Sequence, residues 1–371
     1  MCDTKALMAN AMDEQPAGAQ RSDRTPKEAA GGAQATGRTG ARSCSADAQA
    51  AKPPRCLTRR RVLMASGSVA VLGLAGAAGG FVYGRRIVGE PAGEMRDHRV
   101  EIPESRPRLV IARGKSPERN VAAALDRIGG MQQFVGRDDR VLIKPNVAWE
   151  RVPAQAANTD PAVVAAVVRA CREAGAREIW VTDCPVHDAE ATFARSGVHR
   201  AAYDAGAEVL LPNQYRFLQI AIPGKQGTWP ILELYLKADK IINVPVAKVH
   251  DHGGVTAGMK NWFGVLGMER VMLHSRVDES IAGLAALMRP TLTVIDATRV
   301  LVRNGPRGGD LSDVKQVDAV AVSVDPVAAD AWAASVLGVP QSRVGALALA
   351  EARGLGRADL GALSPVEITT G

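Results

Sequence analysis

From residue 108 onward, short apolar runs alternate along the chain with segments of helical periodicity. Six of these runs have the length and apolar character of buried strands, and they occupy residues 109–112, 141–143, 179–182, 241–244, 292–295 and 319–322. Strands that alternate with helices are typical of an α/β domain, in which a mostly parallel sheet carries helices on both faces. We therefore predict one α/β domain over residues 108–371, with residues 250–288 forming either part of it or a small inserted subdomain.

One helix between the second and third predicted strands is marked at both ends. Asp160 is suited to the N-cap, Pro161 to the first helical position, and Gly175 to the position that ends the helix. The stretch from residue 185 to 230 is less periodic, and its segment 223–227 has the composition of a turn. The sequence thus predicts a regular framework with an elaborated middle.

The residues ahead of this domain fall into three segments of different composition. Residues 1–57 are rich in small and polar residues and show little apolar periodicity, which predicts a disordered extension. Residues 58–86 have the pattern of a signal or anchor, and residues 87–107 are predicted to be a linker.

The pattern in the second segment is typical of a twin-arginine (Tat) export signal. Arg59 and Arg60 stand just ahead of an uncharged, weakly apolar stretch at 62–84. We expect the Tat translocase to bind this signal, so that the protein is periplasmic or anchored to the outer face of the cytoplasmic membrane. Both outcomes stay open, because residues 75–77 offer a small-residue cleavage site while the 23 uncharged residues are long enough to span a bilayer.

The net charge does not indicate a nucleic-acid-binding protein. The chain has 46 basic and 39 acidic residues, but residues 1–90 alone hold 13 of the basic and 7 of the acidic ones. The predicted domain is therefore close to neutral. Since nucleic-acid binding requires a basic face on the folded part, we expect no nucleic-acid partner.

The cysteines exclude two further classes of protein. Only Cys171 and Cys184 of the five cysteines lie in the predicted domain, and the sequence has no Cys-x-x-Cys pair. We therefore expect neither an iron–sulfur cluster nor a disulfide scaffold. Cys171 lies in the predicted helix and Cys184 follows the next strand, which places the thiols too far apart to bond to each other.

Charged and polar residues follow the predicted strands where each strand ends. They are Lys144 and Asn146 after the second strand, Asp183 after the third, Lys248 and His250 after the fourth, Asp296 after the fifth and Asp325 after the sixth. In an open parallel sheet these ends meet at one edge, where ligands bind. We expect Lys144, Lys248 and Lys260 to converge there with Asp183 and Asp296.

The segment 248–264 concentrates lysines, histidines and glycines. Its glycines allow a ligand to approach the backbone closely. The spacing does not match a phosphate-binding P-loop, and His250 with His252 is a weak metal-binding signal.

Several segments together resemble the family named domain of unknown function 362. They are residues 143–146, 158–161, 243–250, 254–264 and 325–330, together with Asp296. The resemblance covers about residues 108–338, with Val249 at a position where the family usually has threonine. It implies no settled reaction. Some relatives append a ferredoxin-like cysteine cluster, which this sequence lacks.

We expect an exported enzyme that binds an anionic small molecule at the carboxyl edge of the sheet. The candidate catalytic residues are Lys260, His250, His274 and Lys144; the candidate ligand-binding residues are Asn146, Lys248, Thr256, Asn261 and Asp160; the candidate ligands of a divalent metal are Asp183, Asp296 and Asp325. One alternative is a non-catalytic binding or maturation factor for an envelope protein. Another is an enzyme whose cofactor is tethered to Lys260, distantly like nickel-pincer lactate racemases.

Overall fold

The structure, a computed structural model, describes residues 88–91, 93–225 and 227–371, with the backbone alone at residues 88–91, 268, 269 and 271. The predicted extension 1–57 lies outside these ranges, as does the predicted export signal with Arg59 and Arg60. Within the described residues, no helix is long and apolar enough to cross a membrane.

The strands, in chain order, are β1 Val88–Pro91, β2 Leu109–Arg113, β3 Arg140–Pro145, β4 Glu178–Val181, β5 Glu208–Val209, β6 Phe217–Ala221, β7 Thr228–Leu232, β8 Lys240–Val244, β9 Val246–His250, β10 Gly254–Thr256, β11 Leu292–Leu301, β12 Val314–Ser323 and β13 Val366–Thr369. The α-helices are α1 Pro117–Ile128, α2 Pro161–Glu173, α3 Ala189–Arg195, α4 Val198–Ala205, α5 Leu234–Lys237, α6 Val277–Met288, α7 Pro326–Val336, α8 Gly345–Ala352 and α9 Leu360–Leu363. Each of the six predicted strands is present, and α2 begins after its Asp160 cap as predicted.

The main sheet has ten strands and is mostly parallel. Its order is β13-β2-β12-β11-β8-β3-β4-β5, and β9 lies beside β11 and pairs with β10. Strand β12 is antiparallel to both neighbours, and β9 with β10 forms an antiparallel hairpin. The other pairings are parallel. A second, three-stranded sheet has the order β1-β6-β7.

Alternate residues of each central strand enter two separate apolar cores. Leu142 belongs to one core, whereas its neighbours Val141 and Ile143 belong to the other. This is the period of two that a strand imposes on its side chains. Helices α1, α2 and α4 cover one face of the sheet, and α6, α7 and α8 cover the other. The predicted α/β class, with helices on both faces, is confirmed.

Residues 250–288 do not form a core of their own. Their buried side chains, including Trp262 and Leu284, join the apolar core on the α7 and α8 side of the sheet. The cysteines Cys171 and Cys184 are buried free thiols, as predicted.

The fourth predicted strand ends at Val244, as its apolar run 241–244 predicts, and a separate strand follows it. Strand β8 ends at Val244, Pro245 breaks the pairing because it has no N–H, and β9 then carries Lys248 and His250 inside a hairpin. The hairpin turns back at Gly254, which has φ of +71° and whose Cβ, if it had one, would lie 2.6 Å from the Arg343 carbonyl oxygen. Both Lys248 and His250 therefore lie on a strand rather than after one.

Candidate functional site

A cavity of about 1330 Å³ opens at the carboxyl ends of β3 and β4 and beside the β9–β10 hairpin. It brings together most of the side chains predicted from the sequence, and those that line it are Asn146, Asp183, Lys248, His250, Thr256, Lys260, Asn261 and His274. The carboxyl edge of the sheet is thus the place where the candidate chemistry collects.

Lys144 lies beneath the cavity in a fully buried ion pair. Its ammonium donates to Asp183 Oδ1 at 2.6 Å, to Asn261 Oδ1 at 2.9 Å and to the Pro145 carbonyl oxygen at 3.0 Å. Burial lowers the pKa of Lys144, and the charge of Asp183 opposes that shift. All three N–H donors are occupied, so Lys144 supports the site and is not available to a ligand.

Gly264 is required by the close approach of the chain to this ion pair. A Cβ at this position would lie 2.1 Å from Asp183 Oδ1 and 2.7 Å from Lys144 Nζ. No real Cβ comes that near to another heavy atom, and both of these atoms are fixed by the pair. This glycine of the 3₁₀ helix Lys260–Val265 therefore allows the chain to pack closely against Asp183.

Two asparagines connect the buried ion pair to the wall of the cavity. Asn261 Oδ1 accepts hydrogen bonds from Lys144 and from Asn146 Nδ2, the latter at 2.9 Å. Asn146 Oδ1 in turn accepts from Lys248 Nζ at 2.7 Å. The sequence predicts that the two asparagines orient a ligand, and in the structure they hold the side chains of Lys144 and Lys248 in place.

Lys248 is buried without a carboxylate partner in the described part of the chain. Its ammonium donates to Asn146 Oδ1 and to the Ala157 carbonyl oxygen, and the side chain lines the cavity. Burial lowers its pKa to about 7, although the charge of Asp183 acts in the other direction. A third N–H has no acceptor among the described residues and is available to a ligand.

Lys260 is the second lysine in the wall with no carboxylate partner among the described residues. It begins the 3₁₀ helix Lys260–Val265, and its Nζ lies 3.2 Å from the centre of the Phe263 ring and 3.3 Å from His274 Nε2. Burial, together with the charges of Arg270 and Lys248, lowers its pKa to about 7. Close to neutral pH, a large fraction of this amine is therefore unprotonated.

Asp330 holds the backbone from which Lys260 projects. Its carboxylate accepts a hydrogen bond from the Met259 N–H at 3.1 Å, and burial raises its pKa to about 7. Gly258 is tightly enclosed here, because a Cβ would lie 2.8 Å from the Asp330 carboxylate.

Three imidazoles stand together at the cavity. The ring centres of His250, His252 and His274 are 5.9 to 6.2 Å apart. His250 Nδ1 accepts the backbone N–H of His252, and burial beside Lys260 lowers the pKa of His250 to about 3. His250 is therefore a neutral hydrogen-bonding group near pH 7, and His274, next to Lys260, is the better placed for proton transfer.

Three of the predicted site residues, Asp325, Asp296 and Asp160, have structural roles away from the cavity lining. The Asp325 carboxylate caps α7 by accepting from the Val327 and Ala328 N–H groups. The Asp296 carboxylate accepts from the Asp160 N–H at 2.7 Å, and burial raises its pKa to about 6.

Asp160 itself caps α2 and forms an ion pair with Arg299, so it does not contact the cavity as a ligand-binding residue. Within the described residues, no group of three or more histidine, cysteine, aspartate or glutamate side chains is arranged to hold a metal ion. The metal site predicted at Asp183, Asp296 and Asp325 is therefore not formed. Each carboxylate is already engaged by backbone N–H groups, and Asp183 also by Lys144.

Several residues of the cavity lining have no signal in the sequence pattern. They are Trp149, His187, Arg216, Arg270 and Arg307; Arg270 comes from the 3₁₀ helix Met268–Arg276, and the other four come from irregular segments. Arg270 donates to the carbonyl oxygens of Cys184 and Pro185, and the Arg307 guanidinium lies 5.4 Å from the centre of the Trp149 ring. Arg270 and Arg307 thus add positive charge to the lining, and Trp149 adds an aromatic ring.

The family model for a domain of unknown function (DUF362) matches residues 141–335. The chain belongs to this family. All of the cavity-lining residues, from Asn146 to Arg307, lie inside the DUF362 match. The site described above is therefore contained in the family domain.

A relative of the chain is a thylakoid-associated protein of Synechocystis sp., which is 28% identical over 249 residues, covering 62% of this chain and 73% of that protein. Among solved structures, the lactate racemase apoprotein from Thermoanaerobacterium thermosaccharolyticum has a TM-score of 0.41 at 15% identity, over 63% of this chain and 58% of the racemase. A protein from Thermotoga maritima has a TM-score of 0.31 at 11% identity, over 65% of this chain and 60% of its own. Likeness at this level has no bearing on activity.

Proposed function

We propose that the cavity binds an anionic small molecule and that the protein is an enzyme acting on it after export through the twin-arginine route. The observation that carries this proposal is a pair of lysines, Lys248 and Lys260. Both are buried, both line one cavity, and neither has a carboxylate partner among the described residues.

Lys144 shows how this protein compensates the positive charge of a buried lysine that does not contact a ligand. It has Asp183 at 2.6 Å, whereas Lys248 and Lys260 face carbonyl oxygens, an imidazole and an aromatic ring. Burial of an unpaired charge is strongly unfavourable. An anionic ligand would supply the missing negative charge, because ammonium groups bind carboxylate and phosphate oxygens as compact cations.

The size and lining of the cavity indicate that the ligand also has an organic part. Its volume of about 1330 Å³ exceeds the ~300–1,000 Å³ of common small-molecule sites. Trp149, Phe217 and Phe263 contribute aromatic surface to the wall.

His274 and Lys260 supply the reactive chemistry of the proposed enzyme. Their nitrogens are 3.3 Å apart, which allows a proton to pass between them. A lysine whose pKa is near 7 can serve as a base or a nucleophile at neutral pH, and this favours catalysis over binding alone.

Export is proposed from the leader, where Arg59 and Arg60 precede the weakly apolar stretch 62–84. A relative is described as thylakoid-associated, which supports a location at a membrane.

The affinity for an anion should fall as pH rises. Burial brings the pKa of Lys248 and of Lys260 to about 7, so both amines lose their charge above neutrality. We expect 2-phosphoglycolate, a small molecule with two anionic groups, to bind the full chain more weakly at about pH 9 than at about pH 6.5 in calorimetric titrations.

The pH dependence of the stability of the ligand-free protein serves as a control. The two lysines make this stability rise with pH, whereas they make the affinity for the anion fall. In the folded state their pKa is about 7, and in the unfolded chain it is near ~10.4, so the unfolded chain binds more protons between these values. The lysines therefore make the ligand-free protein more stable as pH rises through this window. An affinity that stays constant up to about pH 9 would show that arginines, rather than the two lysines, hold the anion.

A further inference from the structure

The amine of Lys260 has the surroundings of a nucleophile as well as those of a cation that binds an anionic ligand. Lys248 is held by two carbonyl oxygens, whereas the described partners of Lys260 are the face of Phe263 and the imidazole of His274. A carbonyl oxygen favours a protonated amine, because it can only accept a hydrogen bond. A neutral imidazole nitrogen can exchange a proton with the amine and so permits the neutral form.

The charges around Lys260 also favour the neutral amine. Arg270 and Lys248 are positive neighbours, and both lower the pKa of Lys260 in addition to the effect of burial. A second cation beside a desolvated lysine is one way in which proteins activate an amine for attack on a carbonyl carbon.

We propose that Lys260 forms an imine with an aldehyde or ketone carbonyl of the anionic ligand, whose acidic group is held by Lys248 and Arg270. This inference rests on the proposed function and specifies its substrate class, an anionic carbonyl compound such as a 2-oxo acid. It assigns the acidic group of the ligand to the two cations and the carbonyl group to the Lys260 amine.

The chemistry is balanced without an oxidant or reductant. The lone pair of Lys260 Nζ forms a bond to the carbonyl carbon, and a proton moves from the nitrogen to the carbonyl oxygen to give a carbinolamine. His274, which took up the proton that the Lys260 ammonium lost before the attack, then protonates the hydroxyl group, which leaves as water as the protonated C=N bond forms. Addition of water in the reverse direction releases the amine and the carbonyl compound.

Reductive trapping tests the proposal on the full chain. The protein is incubated with glyoxylate and sodium cyanoborohydride, which reduces an imine to a stable carboxymethyl-lysine, and the modified peptides are mapped by mass spectrometry. We expect Lys260 to be labelled at least about tenfold faster than the exposed Lys237 and than Lys248. The labelling rate of Lys260 should level off above about pH 7–8, whereas a solvent-exposed lysine of ordinary pKa keeps gaining reactivity towards ~10.4.

The controls separate this inference from the proposed anion binding. Glycolate, which has the same carboxylate but no carbonyl, should leave no label, and Lys260→Arg, which keeps the charge, should abolish the label at that position. The labelling rates of the lysines are compared within the wild-type protein, so poor folding of the Lys260→Arg variant would not obscure the result. If exposed lysines such as Lys237 are labelled faster than Lys260 while 2-phosphoglycolate still binds, the imine proposal is wrong and the proposed anion binding stands. If Lys260 is labelled and 2-phosphoglycolate neither binds nor slows the reaction, the anionic ligand itself is contradicted.

Discussion

Replacing Asp183 with alanine should destabilise the folded protein by about 3–5 kcal/mol, which is the usual effect of removing one partner of a buried ion pair. The side chains of Lys144 and Asp183 are 0% and 1% exposed and lie 2.6 Å apart. The variant would leave the Lys144 amine without its carboxylate partner and the Val147 N–H without its acceptor. Urea denaturation of the wild type and the variant measures the difference.

A matched control is available on the protein surface. Arg200 and Asp204 are also 2.6 Å apart, but their side chains are 83% and 48% exposed. Asp204→Ala should therefore change the free energy of unfolding very little, because solvent screens exposed ion pairs. If both alanine variants unfold at the same urea concentration, the pair at Lys144 does not stabilise the floor of the cavity.

Replacing both Arg59 and Arg60 with lysine should stop export almost completely. The twin-arginine route reads the arginine pair itself as an address, so a change that keeps the positive charge still removes the signal. The precursor should collect in the cytoplasm of an export-competent bacterial host, and fractionation followed by immunoblotting gives the periplasmic share.

The same chain contains a second arginine pair for comparison. Arg85 and Arg86 follow the apolar stretch instead of preceding it. Changing them to lysine should leave export at the wild-type level. Export of the Arg59→Lys, Arg60→Lys protein at that level would show that residues 58–86 are not a twin-arginine signal.

The sequence predicts the strands and helices of the domain well, because buried positions recur along the chain at the spacing of a strand or a helix. The strand around Leu142 and the helix after Asp160 follow from apolar runs and end signals alone. The edge at which Asn146 and Asp183 meet follows in turn from parallel pairing, since residues after different strands become neighbours.

The pattern does not reveal what each polar residue contacts. Asp325 follows β12, whose antiparallel direction places its end at the other edge of the sheet, and there the carboxylate accepts from backbone N–H groups. Asp296 does not follow a strand, because β11 continues to Leu301, and its carboxylate accepts from the Asp160 N–H. Arg216 and Arg307 reach the cavity from irregular segments, whose paths depend on tertiary contacts and leave no periodic signal.

The burial of Lys260 is a further property that no local pattern contains. It results from the packing of the 3₁₀ helix Lys260–Val265 against the apolar core, in which Trp262 and Val265 are fully enclosed. The sequence identifies the lysine as a candidate, and the structure shows that it lacks an acidic partner in the described part of the chain.

The central claim, that buried lysines make this cavity an anion site, is tested most directly by calorimetric titration of 2-phosphoglycolate into the full chain and into Lys260→Met. Methionine keeps the contact with Phe263 and removes the amine, so the ligand-free variant should be at least as stable as the wild type. Loss of a hydrogen bond to a charged group, which contributes about 1.5–3 kcal/mol, predicts an affinity lower by roughly 10-fold to 150-fold. Equal affinity of the two proteins, or no binding by the wild type near pH 6.5, would contradict the account.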